Sequence, residues 1–244
     1  MYSLYKGDCI DIMRSKINAK SIDLILTDLP YGQTHNKWDH QIPLDMLWEQ
    51  FVRITKDSAA IILFTSGMFT ADVMQSNRRM WRYNLVYQKR QPSGFLNARK
   101  MPLRTHEDIC VFYKKAPVYN TQFTTAPRKQ SRGGALGTNY GALPYRVGYD
   151  STFRYPTSVL TFSKDTQKTA YHPPQKPVAL LEWIIKTYSN NGGVVLDCCM
   201  GSGSTGVAAL KTNRRFIGIE IEEKYYRCAE KWIKSIETND NREE

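Results

Sequence analysis

Apolar residues fall along this chain in two alternating rhythms. Short β-branched and apolar runs predict strands at Ser3 to Lys6, Ile22 to Thr27, Ala59 to Phe64, Leu85 to Gln88, Ile109 to Tyr113, Val194 to Asp197 and Phe216 to Glu220. Between them, helical spacing predicts helices over Asp8 to Arg14, Leu44 to Ile54, Met68 to Arg79, Pro177 to Tyr188, Ser204 to Lys211 and Glu223 to Ile236. In the fourth helix Val178, Leu181, Ile184, Ile185 and Tyr188 recur on one face, which assigns them to a core packed on a sheet. Strands alternating with helices indicate an α/β fold, with a mixed, mostly parallel sheet and helices on both faces.

The range 116–167 breaks this rhythm. It is rich in Gly, Pro, Thr, Tyr and Arg, has little periodicity, and reads as an insertion of long loops that Gly133, Gly134, Gly137, Gly141 and Gly148 allow to bend. At 244 residues the chain has room for one substantial core with a small insertion. No apolar stretch is long enough to span a bilayer, and the amino terminus lacks a basic-then-apolar leader. The five cysteines, Cys9, Cys110, Cys198, Cys199 and Cys228, show neither a disulfide framework nor paired zinc spacing, and His35, His40, His106 and His172 are scattered. The expectation is a reducing cytoplasm and no metal.

Charge changes the picture through its placement. Residues 78–168 hold 17 Lys and Arg against 4 Asp and Glu, so the whole surplus behind the net charge of +11 lies in the middle third. Arg90, Arg99, Lys100, Arg104, Lys114, Lys115, Arg128, Lys129 and Arg132 are interleaved with Trp81, Tyr83, Tyr87, Phe95, Tyr113, Tyr119 and Phe123. Cations for phosphates beside rings for bases suit a nucleic-acid surface; a merely solvated basic face is the plainer reading. Confinement to one segment favours nucleic acid.

Two strand ends carry candidate chemistry. The strand from Ile22 runs into Asp28-Leu29-Pro30-Tyr31, an acid, a rigid turn and a ring where open α/β sheets bind ligands. The strand ending at Asp197 runs into Cys198-Cys199-Met200-Gly201-Ser202-Gly203-Ser204-Thr205-Gly206, a G-x-G-x-x-G turn opening a helix, with Glu220 closing the next strand. Too few residues follow Gly206 to complete a nicotinamide domain, so the nucleotide-binding unit is written late, after the strand bearing Asp28.

This order, together with the motif wording, resembles the S-adenosylmethionine-dependent DNA amino-methyltransferases (adenine-N6 and cytosine-N4), in the permuted arrangement where the catalytic motif precedes the cofactor motif. Asp28 to Tyr31 is similar to that family's Asp-Pro-Pro-Tyr, and Asp197 to Thr205 to its glycine turn. Lys6-Gly7-Asp8-Cys9 and His172-Pro173-Pro174-Gln175-Lys176-Pro177 match two further motifs. The resemblance implies a Rossmann-like methyltransferase fold: a catalytic part over 1–115, a target-recognition insertion over 116–167 and a cofactor-binding part over 168–244. It implies that Asp28, Leu29, Pro30 and Tyr31 are catalytic. Asp8, Cys9, Asp28, Lys176, Asp197, Gly201, Gly203, Ser204, Thr205 and Glu220 would meet the cofactor, with Asp197 on its amino group, Glu220 on its ribose and Asp8 on its adenine.

Two departures stand out. Leu29 replaces a proline but keeps the backbone carbonyl, so packing must hold the loop, with Pro30 confining Leu29 to extended conformations. Cys198-Cys199-Met200 replaces a stretch that contains phenylalanine, which alters packing near the methyl donor. The implied reaction is methylation of the exocyclic amino nitrogen of a flipped-out adenine in double-stranded DNA. Cytosine-N4, RNA or glutamine methylation, an inactive DNA-binding protein and a nicotinamide dehydrogenase are the rivals. A homodimer and a cognate restriction nuclease are further partners that the resemblance leaves open.

Overall fold

The computed structural model describes residues 1–32, 40–132, 148–163 and 175–240. His35, Gly133, Gly134, Gly137, Gly141 and His172 to Pro174 lie outside them. Two units are distinguished: Met1–Asn120 with Ser158–Glu244, and Thr121–Thr157.

The larger unit is built on an eight-stranded sheet. Its strands in chain order are β1 (Tyr2–Lys6), β2 (Ile22–Asp28), β3 (Thr55–Thr65), β4 (Trp81–Ser93), β5 (Arg104–Tyr113), β8 (Val159–Phe162), β9 (Val194–Asp197) and β10 (Arg215–Glu220). Their spatial order is β1-β10-β9-β2-β3-β5-β4-β8. The first five of these run parallel, β5 runs antiparallel to both β3 and β4, and β8 runs parallel to β4. All seven expected strands are present.

Strands buried on both faces explain the continuous apolar runs. Leu24 and Leu26 of β2, Ala60, Ile62 and Phe64 of β3, and Ile109 and Val111 of β5 face one core. That core is completed by α4 (Val178–Tyr188), α5 (Ser204–Lys211) and α6 (Glu223–Asp240). The alternate residues Ile25, Ile61, Leu63, Cys110 and Phe112 face a second core under α1 (Cys9–Lys16), α2 (Leu44–Ile54) and α3 (Met68–Ser76). In α4 the expected face is confirmed: Leu181, Ile184, Ile185 and Tyr188 are buried and Val178 packs at the margin.

The boundaries that differ have local causes. Asp8 caps α1, accepting from the Ile10 and Asp11 amides at 2.8 and 3.1 Å, which offsets two orphan donors of the first turn. Helix α3 stops at Ser76 and not at Arg79, because the Asn77 carbonyl takes the amides of Met80 and Trp81 in a turn. Strands β4 and β5 outrun their apolar stretches as a long hairpin, paired from Trp81↔Phe112 to Ser93↔Arg104, whose tip carries a short 3-10 turn at Phe95–Asn97.

Among the described residues of 116–167, where loops are expected, there are three strands. β8 buries only Leu160. In the smaller unit β6 (Thr124–Ser131) pairs antiparallel with β7 (Tyr149–Arg154), from Thr124↔Arg154 to Ser131↔Tyr149. Neither β6 nor β7 buries a face, so neither shows the alternation by which strands are read; the Phe123 ring beside Phe153 and Tyr155, at 6.1 and 5.0 Å, supplies what apolar packing the hairpin has.

Glycine in α5 is set by packing. A Cβ on Gly206 would stand 2.5 Å from Ile233 Cδ1 and 2.7 Å from Phe216. Gly206→Ala should therefore lower stability by ~1–3 kcal/mol through overpacking, read as a lower urea midpoint at unchanged slope. An unchanged midpoint would contradict this account of the α5, α6 and β10 contact.

Candidate active site

The strand order reverses between β9 and β2, since β9 leads outward to β10 and β2 leads the other way to β3. Such a switch point opens a crevice at the carboxyl ends of the strands. Registers Leu24↔Val195 and Ile25↔Leu196 bring Asp28 and the Asp197 turn to the same rim. A direct bond joins them, as Thr27 Oγ1 donates to Asp197 Oδ1 at 2.7 Å. The two strand-end motifs are thus neighbours.

Asp197 is 3 % exposed. Burial pushes its carboxyl up to about 6, against the hydroxyls of Thr205 and Thr27 and the Cys199 amide, which favour the ion. Among the described residues no cation pairs with it. A buried carboxylate with hydrogen bonds and no counter-ion suits a ligand ammonium. Glu220, also buried and raised by burial, accepts from the Gly201 and Glu222 amides at 2.8 and 2.9 Å, which fixes its plane and leaves lone pairs for hydroxyl donors.

The glycines divide by cause. Gly201 has φ +53° and nothing within 4 Å of the position a Cβ would take, so that turn can be approached closely. Gly203, at φ +92°, instead meets Ala229, 2.9 Å from a hypothetical Cβ, and is required by packing on α6. Ser204 and Thr205 are buried in the first turn of α5, and Ser202 Oγ donates to Gln175 Oε1 at 3.3 Å. Asp8 spends Oδ1 on capping α1, while Cys9, the first residue of that helix, is buried with its sulfur against those of Cys198 and Cys199.

On the other wall Leu29 is buried in the core under α1 to α3, the packing that a missing proline demands. Asp28, its side chain 31 % exposed, is gripped from two sides. Tyr31 donates to Oδ1 at 2.7 Å, and Lys176 donates to Oδ2 at 2.5 Å. The Tyr31 ring lies against Phe69 at 5.0 Å. Lys176 sits 3.1 Å from Glu107, which in turn pairs with Lys89 at 2.6 Å, and the Lys176 ammonium is also 5.0 Å from the Phe64 ring. Lys176 thus stands at Asp28, a place that its motif alone did not give.

These charges set one another. Burial raises Asp28 above the usual carboxylate range, with Lys176 pulling the other way. Burial alone would depress Lys176; Asp28 and Glu107 outweigh it and keep the ammonium charged. Glu107, flanked by Lys176 and Lys89, ends below its ordinary value despite burial. Glu107 escaped the sequence reading, and Lys89 was legible only as one of the basic residues of the middle third. The available signal was an acid in a segment holding only four.

The basic residues separate by rim. Arg90, Arg99, Lys100 and Arg104 are exposed on the β4–β5 hairpin, which projects from the rim of Asp28 because Thr65 pairs with Asp108. Lys114 and Lys115 lie elsewhere. They follow Tyr113, which pairs with Ala60 roughly 17 Å of strand away at the opposite rim, and both pair with Asp57 at 3.5 and 3.4 Å. In the smaller unit Lys129 and Arg132 are exposed, and Arg128 grips Asp150 through Nε at 2.7 Å. A cavity of about 250 Å³ at the opposite rim, lined by Asp23, Lys56, Tyr188 and Asn190 to Gly193, includes neither Asp28 nor Asp197.

Comparison with known proteins agrees with this geometry. A profile of the family described as DNA methylase, with N6 and N4 members, matches residues 22–231. The chain belongs to the DNA methylase family. It is 28 % identical to the DNA adenine methyltransferase YhdJ of Escherichia coli (strain K12), over 91 % of this chain and 79 % of that protein. It is also 28 % identical to the Type II methyltransferase M.HinfI of Haemophilus influenzae, over 98 % and 70 %. The crystal structure of the M1.HpyAVI–SAM complex superposes with a TM-score of 0.63 at 23 % identity, covering 95 % of this chain and all of that one, which shows the shared Rossmann-like methyltransferase fold.

For this DNA methylase a pH profile tests the charge cluster. If the reaction uses the Asp28 ion, activity is lost as pH falls through its raised pKa, which sets the acid limb above that of an ordinary Asp. Lys176→Met removes the stabilising cation and should move that limb to higher pH. A move to lower pH would contradict the pairing.

Proposed function

We propose that this protein transfers a methyl group from S-adenosylmethionine to the N6 amino nitrogen of an adenine flipped out of double-stranded DNA. The observation that carries the reading is the Thr27 to Asp197 bond, which sets the Asp28 loop beside a buried carboxylate that has no cation partner among the described residues. Bound S-adenosylmethionine supplies a methyl group made electrophilic by its sulfonium. Asp197 holds the ammonium, Glu220 the ribose hydroxyls, and Gly201 admits the cofactor backbone at close range. Ser204, Thr205, Gly203, Asp8 and Cys9 shape the remainder of the pocket.

An aromatic amine is a poor nucleophile because its lone pair is delocalised into the ring. Asp28 Oδ and the Leu29 carbonyl accept its two protons and favour the geometry in which the lone pair points at the methyl group. Tyr31 positions Asp28 through its hydroxyl and offers its ring to the base; Pro30 fixes the turn. Tyr31 and Lys176 each take one Asp28 oxygen, and each oxygen keeps a further lone pair with which to accept from the amine. No covalent intermediate with the protein is needed.

DNA is gripped at the rim of Asp28. Arg90, Arg99, Lys100 and Arg104 meet phosphates, and the exposed Phe95 and Leu96 at the hairpin tip suit insertion between base steps. The smaller unit, with Lys129 and Arg132, reads the flanking sequence. Adenine is preferred to cytosine because Asp leads the catalytic motif and because YhdJ is named for adenine. M.HinfI, as a Type II methyltransferase, is the ground for a restriction nuclease as cellular counterpart.

Transfer of tritiated methyl to duplex DNA, followed by nucleoside digestion, should yield N6-methyladenine. Asp28→Ala should lower transfer at least ~10³-fold while calorimetry shows cofactor affinity within about twofold. An active Asp28→Ala enzyme, or label on cytosine, would overturn the assignment. Arg99→Ala and Lys100→Ala should each reduce the salt slope of DNA binding by about 1, whereas Lys114→Ala and Lys115→Ala leave it unchanged. Equal effects at the two rims would remove the hairpin from the interface.

A further inference from the structure

Cys9 and the pair Cys198-Cys199 lie at opposite ends of the chain, yet the fold brings their three sulfurs within 4.8 Å of one another. The meeting follows from topology. β1 pairs with β10 and β10 with β9, so the start of α1 comes down beside the end of β9 on the rim that carries the glycine turn. Cys9 and Cys198 are buried and Cys199 is partly exposed, which gives the cluster one open side. Cys110 and Cys228 stand outside the cluster.

We propose that Cys9, Cys198 and Cys199 form a site for one soft divalent cation of the zinc or cadmium class, and that filling it weakens binding of the methyl donor. Thiolate sulfurs ~2.3 Å from zinc in tetrahedral array stand roughly 3.8 Å apart, so these sulfurs close by at most about 1 Å to ligate. Three sulfur ligands with a fourth position open to water match the preference of soft ions. Ligation releases the protons of whichever thiols still carry them to solvent, and no oxidant is involved.

The coupling to the cofactor is structural and rests on the function proposed above. The Cys199 amide donates to Asp197 Oδ1 at 3.1 Å. Cys198 Sγ contacts Thr27 Oγ1 at 3.6 Å, and that hydroxyl is the one which holds Asp197. Drawing both sulfurs onto an ion turns the peptide that orients the carboxylate meant for the cofactor's ammonium. By linkage the two ligands then oppose each other by the same factor in either direction.

Cadmium titration of the reduced, full-length protein is the test. The ultraviolet thiolate-to-cadmium charge-transfer band should saturate at one ion per chain. It should be unchanged in Cys228→Ser and lost in Cys9→Ser and in Cys199→Ser, each checked as folded by circular dichroism. One equivalent of cadmium should weaken S-adenosylhomocysteine about tenfold by calorimetry, and chelation should restore it. Absence of the band, or a band kept in both Cys9→Ser and Cys199→Ser, overturns the site. A full band with unchanged S-adenosylhomocysteine affinity overturns the coupling. Failure of S-adenosylhomocysteine to bind the metal-free protein would instead count against the proposed function, since the band does not depend on it.

Discussion

The parallel pairing of β2 with β9 is the constraint on which the molecule's chemistry depends. These strands come from opposite ends of the chain, and their register decides which loops meet. Because side chains alternate along a strand, slippage by one residue would turn Leu24 and Leu26 out of the core under α4 to α6 and swing Asp28 to the wrong face. Burial on both sides of the sheet makes that slip costly. The Thr27 hydroxyl completes the lock by reaching Asp197 directly, so the Asp28 loop and the Asp197 turn share one hydrogen-bonded wall.

Electrostatics then distinguish the two acids. Asp28 lies at the end of a chain of alternating charges, Asp28, Lys176, Glu107 and Lys89, which is neutral in sum and tolerates partial burial. Asp197 has hydrogen bonds but no cation among the described residues, and its raised pKa records that deficit. One carboxylate has its positive partner within the protein; the other has none among the described residues. The same α/β framework sets this difference through the positions of β5 and the residues leading into α4.

Much of this was legible in the sequence, for physical reasons that can be named. Strands such as Ile22 to Thr27 and Val194 to Asp197 are buried on both faces, so their apolar runs are unambiguous, and the acid or glycine that follows each stands out in the sequence by contrast. Strands β6 and β7 bury no face and leave no alternation to read. Lys114 and Lys115 were grouped with Arg99 and Lys100 because composition along a chain carries no rim, and only the antiparallel run of β5 separates them. Glu107 and the three-cysteine cluster depend on contacts across the sheet, which no local spacing encodes.

A crystal structure of the protein with S-adenosylhomocysteine tests the central claim most directly. The account predicts the ligand in the crevice between β2 and β9, its amino group on Asp197, its ribose on Glu220 and its sulfur facing Asp28. A ligand seated at the opposite rim, in the cavity beside Lys56 and Asn190 to Gly193, would contradict it.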